Sequence, residues 1–143
     1  MRVLFDTNVI VDLLLDRKPF AEAATRLAAQ VELGSLTGVL SATTVTTVYY
    51  LVAKAAGAKT ARIQVRKLLD LFEVAPVTRA VVEAALDQSI RDYEDAVLHE
   101  AAREAAVDAI VTRDLQDFSA AELTVYSPPE LLSVLAAGPG TLG

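Results

Sequence analysis

The chain has no cysteine and no tryptophan, and only one histidine among its 143 residues. Without cysteine, neither a disulfide framework nor a thiolate metal site can be built. Aromatics make up 6% of a chain that is 53% hydrophobic, so alanine, leucine and valine must fill the core. No apolar run approaches the length that crosses a bilayer. The N-terminus enters a strand at once and offers no basic region, apolar run and cleavage site in succession, so a cytoplasmic location is expected. A further absence is local. From Leu33 to Leu69 there is no acid, while Lys54, Lys59, Arg62, Arg66 and Lys67 give that stretch a charge of +5. The net charge is −6, so the rest of the chain carries −11. Such asymmetry suggests a basic patch beside an acidic pocket, although solvated helix faces give the same pattern.

The length suits one domain with a full core, expected over 1–136, with 137–143 as a frayed tail. Val3-Leu4-Phe5 reads as a strand stopped by Asp6-Thr7-Asn8. A short helix from Val9 to Leu15 follows, and Asp16-Arg17-Lys18-Pro19 breaks it. Pro19 suits the first position of a second helix that ends before Gly34. Val39-Leu40-Ser41 is a second strand. A third helix is expected over 42–56, with Val45, Val48, Tyr49, Val52 and Ala55 inward and Thr43, Thr47, Tyr50 and Lys54 sharing a second face. A fourth, over 59–71, is expected to bury Ile63 or Val65 with Leu68 and Leu69, and to show Arg62, Arg66 and Lys67. Strand three is 72–75. A Thr78-capped helix is expected to run to about Ile90. Asp92-Tyr93-Glu94-Asp95 opens helix six. Ala109-Ile110-Val111 and Leu123–Tyr126 are strands four and five, and Pro128 starts a last helix. Strands separated by helices imply a parallel sheet covered on both faces, in three α/β/α layers.

Three places set acids where a strand ends or a helix begins. Asp6 follows strand one, Asp114 and Asp117 follow strand four, and Glu94 and Asp95 lie in the first turn of helix six. In open α/β sheets ligands bind beyond the carboxyl ends of the strands, where the strand order reverses. If strands one and four are neighbours there, these acids converge. Crowded carboxylates repel and raise one another's pKa, and a divalent cation relieves them. Mg²⁺ or Mn²⁺ in such a site activates a water and neutralises phosphate oxygens. Each acid has a plainer explanation. Asp6 caps a helix equally well, Asp92 with Asp95 resembles an acidic capping box, and Asp114 and Asp117 are common turn residues. Thr112 and Asn8 suit orienting groups better than ligands. His99, one turn after Asp95, is expected to be a partly exposed structural residue.

Taken together, Asp6-Thr7-Asn8-Val9-Ile10-Val11-Asp12, Tyr93-Glu94-Asp95-Ala96 and Ile110-Val111-Thr112-Arg113-Asp114-Leu115-Gln116-Asp117-Phe118 resemble the PIN-domain family, including the VapC-type toxins of toxin–antitoxin pairs. The resemblance implies a five-stranded parallel sheet of order 3-2-1-4-5. It also implies a Mg²⁺- or Mn²⁺-dependent ribonuclease site built on Asp6, Asp95 and Asp114, with Asp117 nearby. The family usually places a glutamate in the helix after strand two. Here the matching position is Thr47, and Glu94 is a candidate to replace part of its role. The expectation is a metal-dependent endoribonuclease with Lys54, Arg62, Arg66 and Lys67 on the RNA backbone, an antitoxin protein as partner and the apolar helices as a homodimer face. The alternative is a PIN-like nucleic-acid- or protein-binding module with a weakened site.

Overall fold

The computed structural model describes residues 1–138. The elements in chain order are β1 (Arg2–Phe5), α1 (Thr7–Leu14), α2 (Ala21–Glu32), β2 (Thr37–Ser41), α3 (Ala42–Ala56), α4 (Ala58–Leu71) and β3 (Glu73–Ala75). Then come α5 (Arg79–Ala85), α6 (Tyr93–Glu104), β4 (Ala109–Val111), a 3₁₀ turn (Leu115–Phe118), β5 (Thr124–Tyr126) and α7 (Pro128–Ala137). The five strands are all parallel, in the order β3-β2-β1-β4-β5. The order reverses between β1 and β4, which pair Val3 with Ala109, Leu4 with Ile110 and Phe5 with Val111. The strand ends that carry Asp6 and Thr112 therefore lie side by side, at the position where such sheets bind ligands.

Alternation along the strands divides the core into two layers. Val3, Phe5, Leu40, Ala109 and Val111 face α1, α2, α3, α4 and α7. Leu4, Val39, Ala75 and Ile110 face α5 and α6. Both layers are closed to water, so the strands read as short continuous apolar runs rather than alternating ones. Each fully buried Val, Leu or Phe contributes about 1.5–3 kcal/mol. At β2, Gly38 is required by close approach. A Cβ there would meet the Phe72 ring at 2.5 Å, and that ring packs edge-on against Phe5 with centroids 5.1 Å apart. Gly57, at φ +93°, turns the chain between α3 and α4.

Several expectations need correction. Pro19 does not open α2. It follows a cis peptide in the turn, and the helix starts at Ala21. α5 stops at Ala85, and a turn then brings Ile90 into the core at 6% exposure. On α4, Ala61 and Leu68 are the buried residues, whereas Ile63 and Leu69 are half exposed. That helix packs chiefly on α3, so only a narrow stripe is covered. Ala55 on α3 is exposed as well. His99 is not partly exposed but buried. The tail expected from residue 137 was placed one residue too early, since α7 includes Ala137, and 139–143 lie outside the described residues. No helix among the described residues is long and apolar enough to cross a membrane.

Candidate active site

Asp6 is both the last residue of the strand run and the cap of α1. Its backbone N–H donates to Val111 at 3.0 Å, which extends the β1–β4 ladder by one step. Its Oδ1 accepts from the Thr7 N–H at 2.7 Å, as a helix cap does. Its Oδ2 accepts from the Thr112 hydroxyl, also at 2.7 Å. Thr112 is fully buried and accepts in turn from the Asp114 N–H at 3.0 Å. Asn8 completes the frame. Its Nδ2 donates to Asp114 Oδ2 at 3.0 Å, and its Oδ1 accepts from the Arg113 N–H at 3.4 Å. Neutral donors thus hold Asp6 and Asp114 in fixed orientations from the ends of β1 and β4. Thr112 and Asn8 each bond one of these two carboxylates directly.

The pocket over this frame has a volume of about 290 Å³. Asp6, Asn8, Glu94, Asp95 and Asp114 line it, together with Thr47 and Leu51 from α3. Asp95 comes from the first turn of α6, where Asp92 caps the helix by accepting the Asp95 N–H at 3.0 Å. The capping explanation is therefore met by Asp92, which leaves the Asp95 carboxylate free for the pocket. Burial first, then the charges of Asp6, Asp92, Asp117 and Glu94, push Asp95 up to about 7. Burial raises Asp6 as well. Hydrogen bonds from Thr112 and Thr7 pull it back, and the charges of Asp114 and Glu94 add to the rise. Asp6, Glu94, Asp95 and Asp114 make no ion pair with any described residue. Nor do any three acid or histidine side chains among the described residues crowd closely enough to grip an ion directly.

Not every candidate lines the pocket. Asp117 sits in the 3₁₀ turn, exposed, and acts on Asp95 through charge alone. On α3, Thr47 lines the pocket but Tyr50 and Lys54 do not; Leu51, one turn beyond Thr47, takes that face. The Thr47 hydroxyl donates to the Thr43 carbonyl of its own helix at 3.1 Å. Lys54, Arg62, Arg66 and Lys67 are all exposed on the α3–α4 pair, and Arg62 lies over the Tyr49 ring at 5.9 Å. His99 belongs elsewhere. The Leu123 N–H donates to its Nε2 at 3.4 Å, so Nδ1 carries the proton and donates to Gln88 Oε1 at 2.8 Å. Burial, with Arg103 next, holds its pKa below the usual range.

Two arginines escape sequence reading. Arg113 binds both oxygens of buried Asp12, at 2.6 and 3.2 Å, and stacks over Phe20 at 4.0 Å. An apolar α1 with one acid on it is the signal that a cation must reach it. Arg17, in the turn between α1 and α2, lines the acid pocket. No pattern in its segment announces this.

The PIN-domain family model matches residues 2–116. The ribonuclease VapC1 of Aquifex aeolicus (strain VF5) is 28% identical over 126 residues, covering 82% of this chain and 85% of that one. The crystal structure of VapC20 from Mycobacterium tuberculosis, described as a sarcin–ricin-loop-cleaving toxin, superposes with a TM-score of 0.68 at 21% identity, over 85% of this chain and 96% of the other. A toxin–antitoxin complex from Klebsiella pneumoniae contains a chain that superposes at 0.66 and 22% identity, over 88% and 97%. At such identities the structural likeness establishes the fold, while the matched family model spans most of the chain: this protein belongs to the PIN-domain family.

Proposed function

We propose that this chain is a ribonuclease of the VapC type, which hydrolyses RNA phosphodiesters at the acid pocket with a bound Mg²⁺ or Mn²⁺. The observation that carries this is the gathering of Asp6, Glu94, Asp95 and Asp114 around one pocket with no cation paired to any of them. Like charges so placed cost stability unless a cation joins them. The oxygen donors and the open pocket fit a hard divalent ion that keeps several waters and takes only a few carboxylates. Asp6, Asp95 and Asp114 are its assigned ligands. Glu94 supplies the fourth acid that the family usually draws from the helix of Thr47, and Asp117 adds charge from outside. When bound, such an ion lowers the pKa of its water and offsets the charge of the phosphate. The chain's own part is to orient. Thr112 and Asn8 fix the carboxylates of Asp6 and Asp114, and Leu51 and Leu98 give the pocket an apolar wall.

The RNA backbone is assigned to Lys54, Arg62, Arg66 and Lys67, beside Tyr50, whose ring is 70% exposed and suited to stacking on a base. Single strands or loops are the expected targets, because duplex RNA hides its base edges. The likeness to VapC1 supports the substrate class, and the likeness to a chain from a toxin–antitoxin complex supports an antitoxin partner. A cytoplasmic homodimer is the form this assignment expects. Thr47 favours a second reading, a PIN-like binding module without cleavage, since its hydroxyl is spent on Thr43 and adds no charge. Incubating purified protein with structured RNAs and Mn²⁺ separates the two. Cleavage that Asp6→Asn and Asp95→Asn abolish supports the ribonuclease. Binding without cleavage supports the module, and cleavage that survives both substitutions comes from a contaminant.

A further inference from the structure

Two arginines flank the acid pocket and differ in what they touch. Arg113 holds Asp12 with Nε and Nη2 on one guanidinium edge and lies with its face against Phe20. Arg17 is the one cation among the residues lining the pocket, and its side chain makes no hydrogen bond or ion pair with any described residue. Its backbone is nevertheless fixed. The Arg17 N–H donates to the Asp12 carbonyl at 3.1 Å, and its own carbonyl accepts from Phe20 and Ala21 at 2.9 and 2.7 Å. The preceding Asp16 adopts a left-handed backbone, φ +52°, within the same turn. Of the three residues that hold this turn, Asp12 and Phe20 are also the two that Arg113 contacts with its guanidinium.

We propose that Arg17 contacts a nonbridging oxygen of the RNA phosphate entering the acid pocket, and that Arg113 acts as a positioning residue by holding the turn that carries it. This rests on the ribonuclease assignment. A phosphate brought among four carboxylates meets repulsion from each of them. A guanidinium with an unused fork of N–H donors matches two phosphate oxygens in shape and charge. Arg113 does not line the pocket, and its Nε and Nη2 are committed to a buried carboxylate. Lys18 carries the same charge one residue on, but does not line the pocket.

The test compares Arg17→Gln, Arg17→Lys and Lys18→Gln. Two measurements are made on a labelled single-stranded oligoribonucleotide: cleavage in Mn²⁺, and binding in EDTA at several salt concentrations. Arg17→Gln is expected to lower kcat/KM by about 10- to 100-fold, the worth of a charge-assisted hydrogen bond. It should also reduce the slope of log affinity against log salt by about 0.7, one phosphate contact on a single strand. Arg17→Lys should recover part of both, Lys18→Gln should stay within about twofold of wild type, and no variant should melt differently. Arg17→Gln cleaving as wild type does, or Arg17→Gln and Lys18→Gln falling together, overturns the proposal while the ribonuclease stands. Wild type that leaves the RNA intact in Mn²⁺ overturns both.

Discussion

Asp6 and Asp12 stand at the two ends of α1, 7% and 1% exposed. Asp12 meets the guanidinium of Arg113 with both oxygens. Asp6 meets only a backbone N–H and a hydroxyl, and shares its surroundings with Glu94, Asp95 and Asp114. Both are buried carboxylates on one short helix, yet one has its countercharge inside the fold and the other lacks one. The difference separates architecture from function. A carboxylate whose charge is cancelled by the chain itself ties the loop after β4 to α1. Carboxylates whose charges are left uncancelled are available to a ligand that brings positive charge.

The contrast can be broken first on the compensated side. Arg113→Ala leaves Asp12 buried without a cation, and should cost about 3–5 kcal/mol in denaturant unfolding. Arg113→Met combined with Asp12→Leu should recover most of that loss, since a matched apolar pair carries no stranded charge. Equal stability of Arg113→Ala and wild type would mean that the pair holds nothing together.

On the uncompensated side, Glu94→Gln should weaken Mn²⁺ binding by about tenfold, the scale of losing a supporting carboxylate at a metal site. A metal titration unchanged from wild type would remove Glu94 from the site and return it to the helix surface.

A smaller effect sharpens the comparison through pH. Asp95 is raised from 3.8 to about 7 in the folded chain, so between those values the folded state binds more protons than the unfolded one. Stability of the metal-free protein should therefore fall as pH rises from 4 to 8, with the penalty absent below 3.8 and complete above about 7. Asp95→Asn should flatten this melting profile and raise the melting temperature at pH 8 by about a few degrees. A wild-type profile that rises over this range would contradict the burial and like-charge crowding that raise Asp95.

The strands and the strand-end acids were legible because both follow from short-range signals, whereas the sheet order came only as what the resemblance to the PIN-domain family implies. Val3-Leu4-Phe5 and Ala109-Ile110-Val111 are apolar runs stopped by polar residues, and a buried parallel strand has few other sequence forms. The cap of α6 was legible too, since Asp92 and Asp95 stand three residues apart. Pairings set by tertiary approach were not. Arg113 lies 101 residues from Asp12, and nothing local in either segment names the other. The α4 face was misjudged because periodicity gives the orientation of a stripe but not how wide a neighbour covers it, and Ile63 and Leu69 fall at its edges. His99 was misjudged because its partners, Gln88 and the Leu123 N–H, come from loops whose paths the pattern does not fix. Leu51 rather than Tyr50 joins Thr47 in the pocket, since a stripe count does not separate the i+4 neighbour from the i+3 one.

The central claim is that the acids around Asp6 await a divalent cation. It is tested most directly by melting EDTA-stripped protein at pH 8 against increasing Mn²⁺, with Asp6→Asn and Asp114→Asn alongside. The account predicts a wild-type melting temperature that climbs with metal, by about 2.7 kcal/mol of stability at a hundred times the dissociation constant, and no climb in either variant. A wild-type curve that ignores Mn²⁺, or variants that climb with it equally, would contradict it.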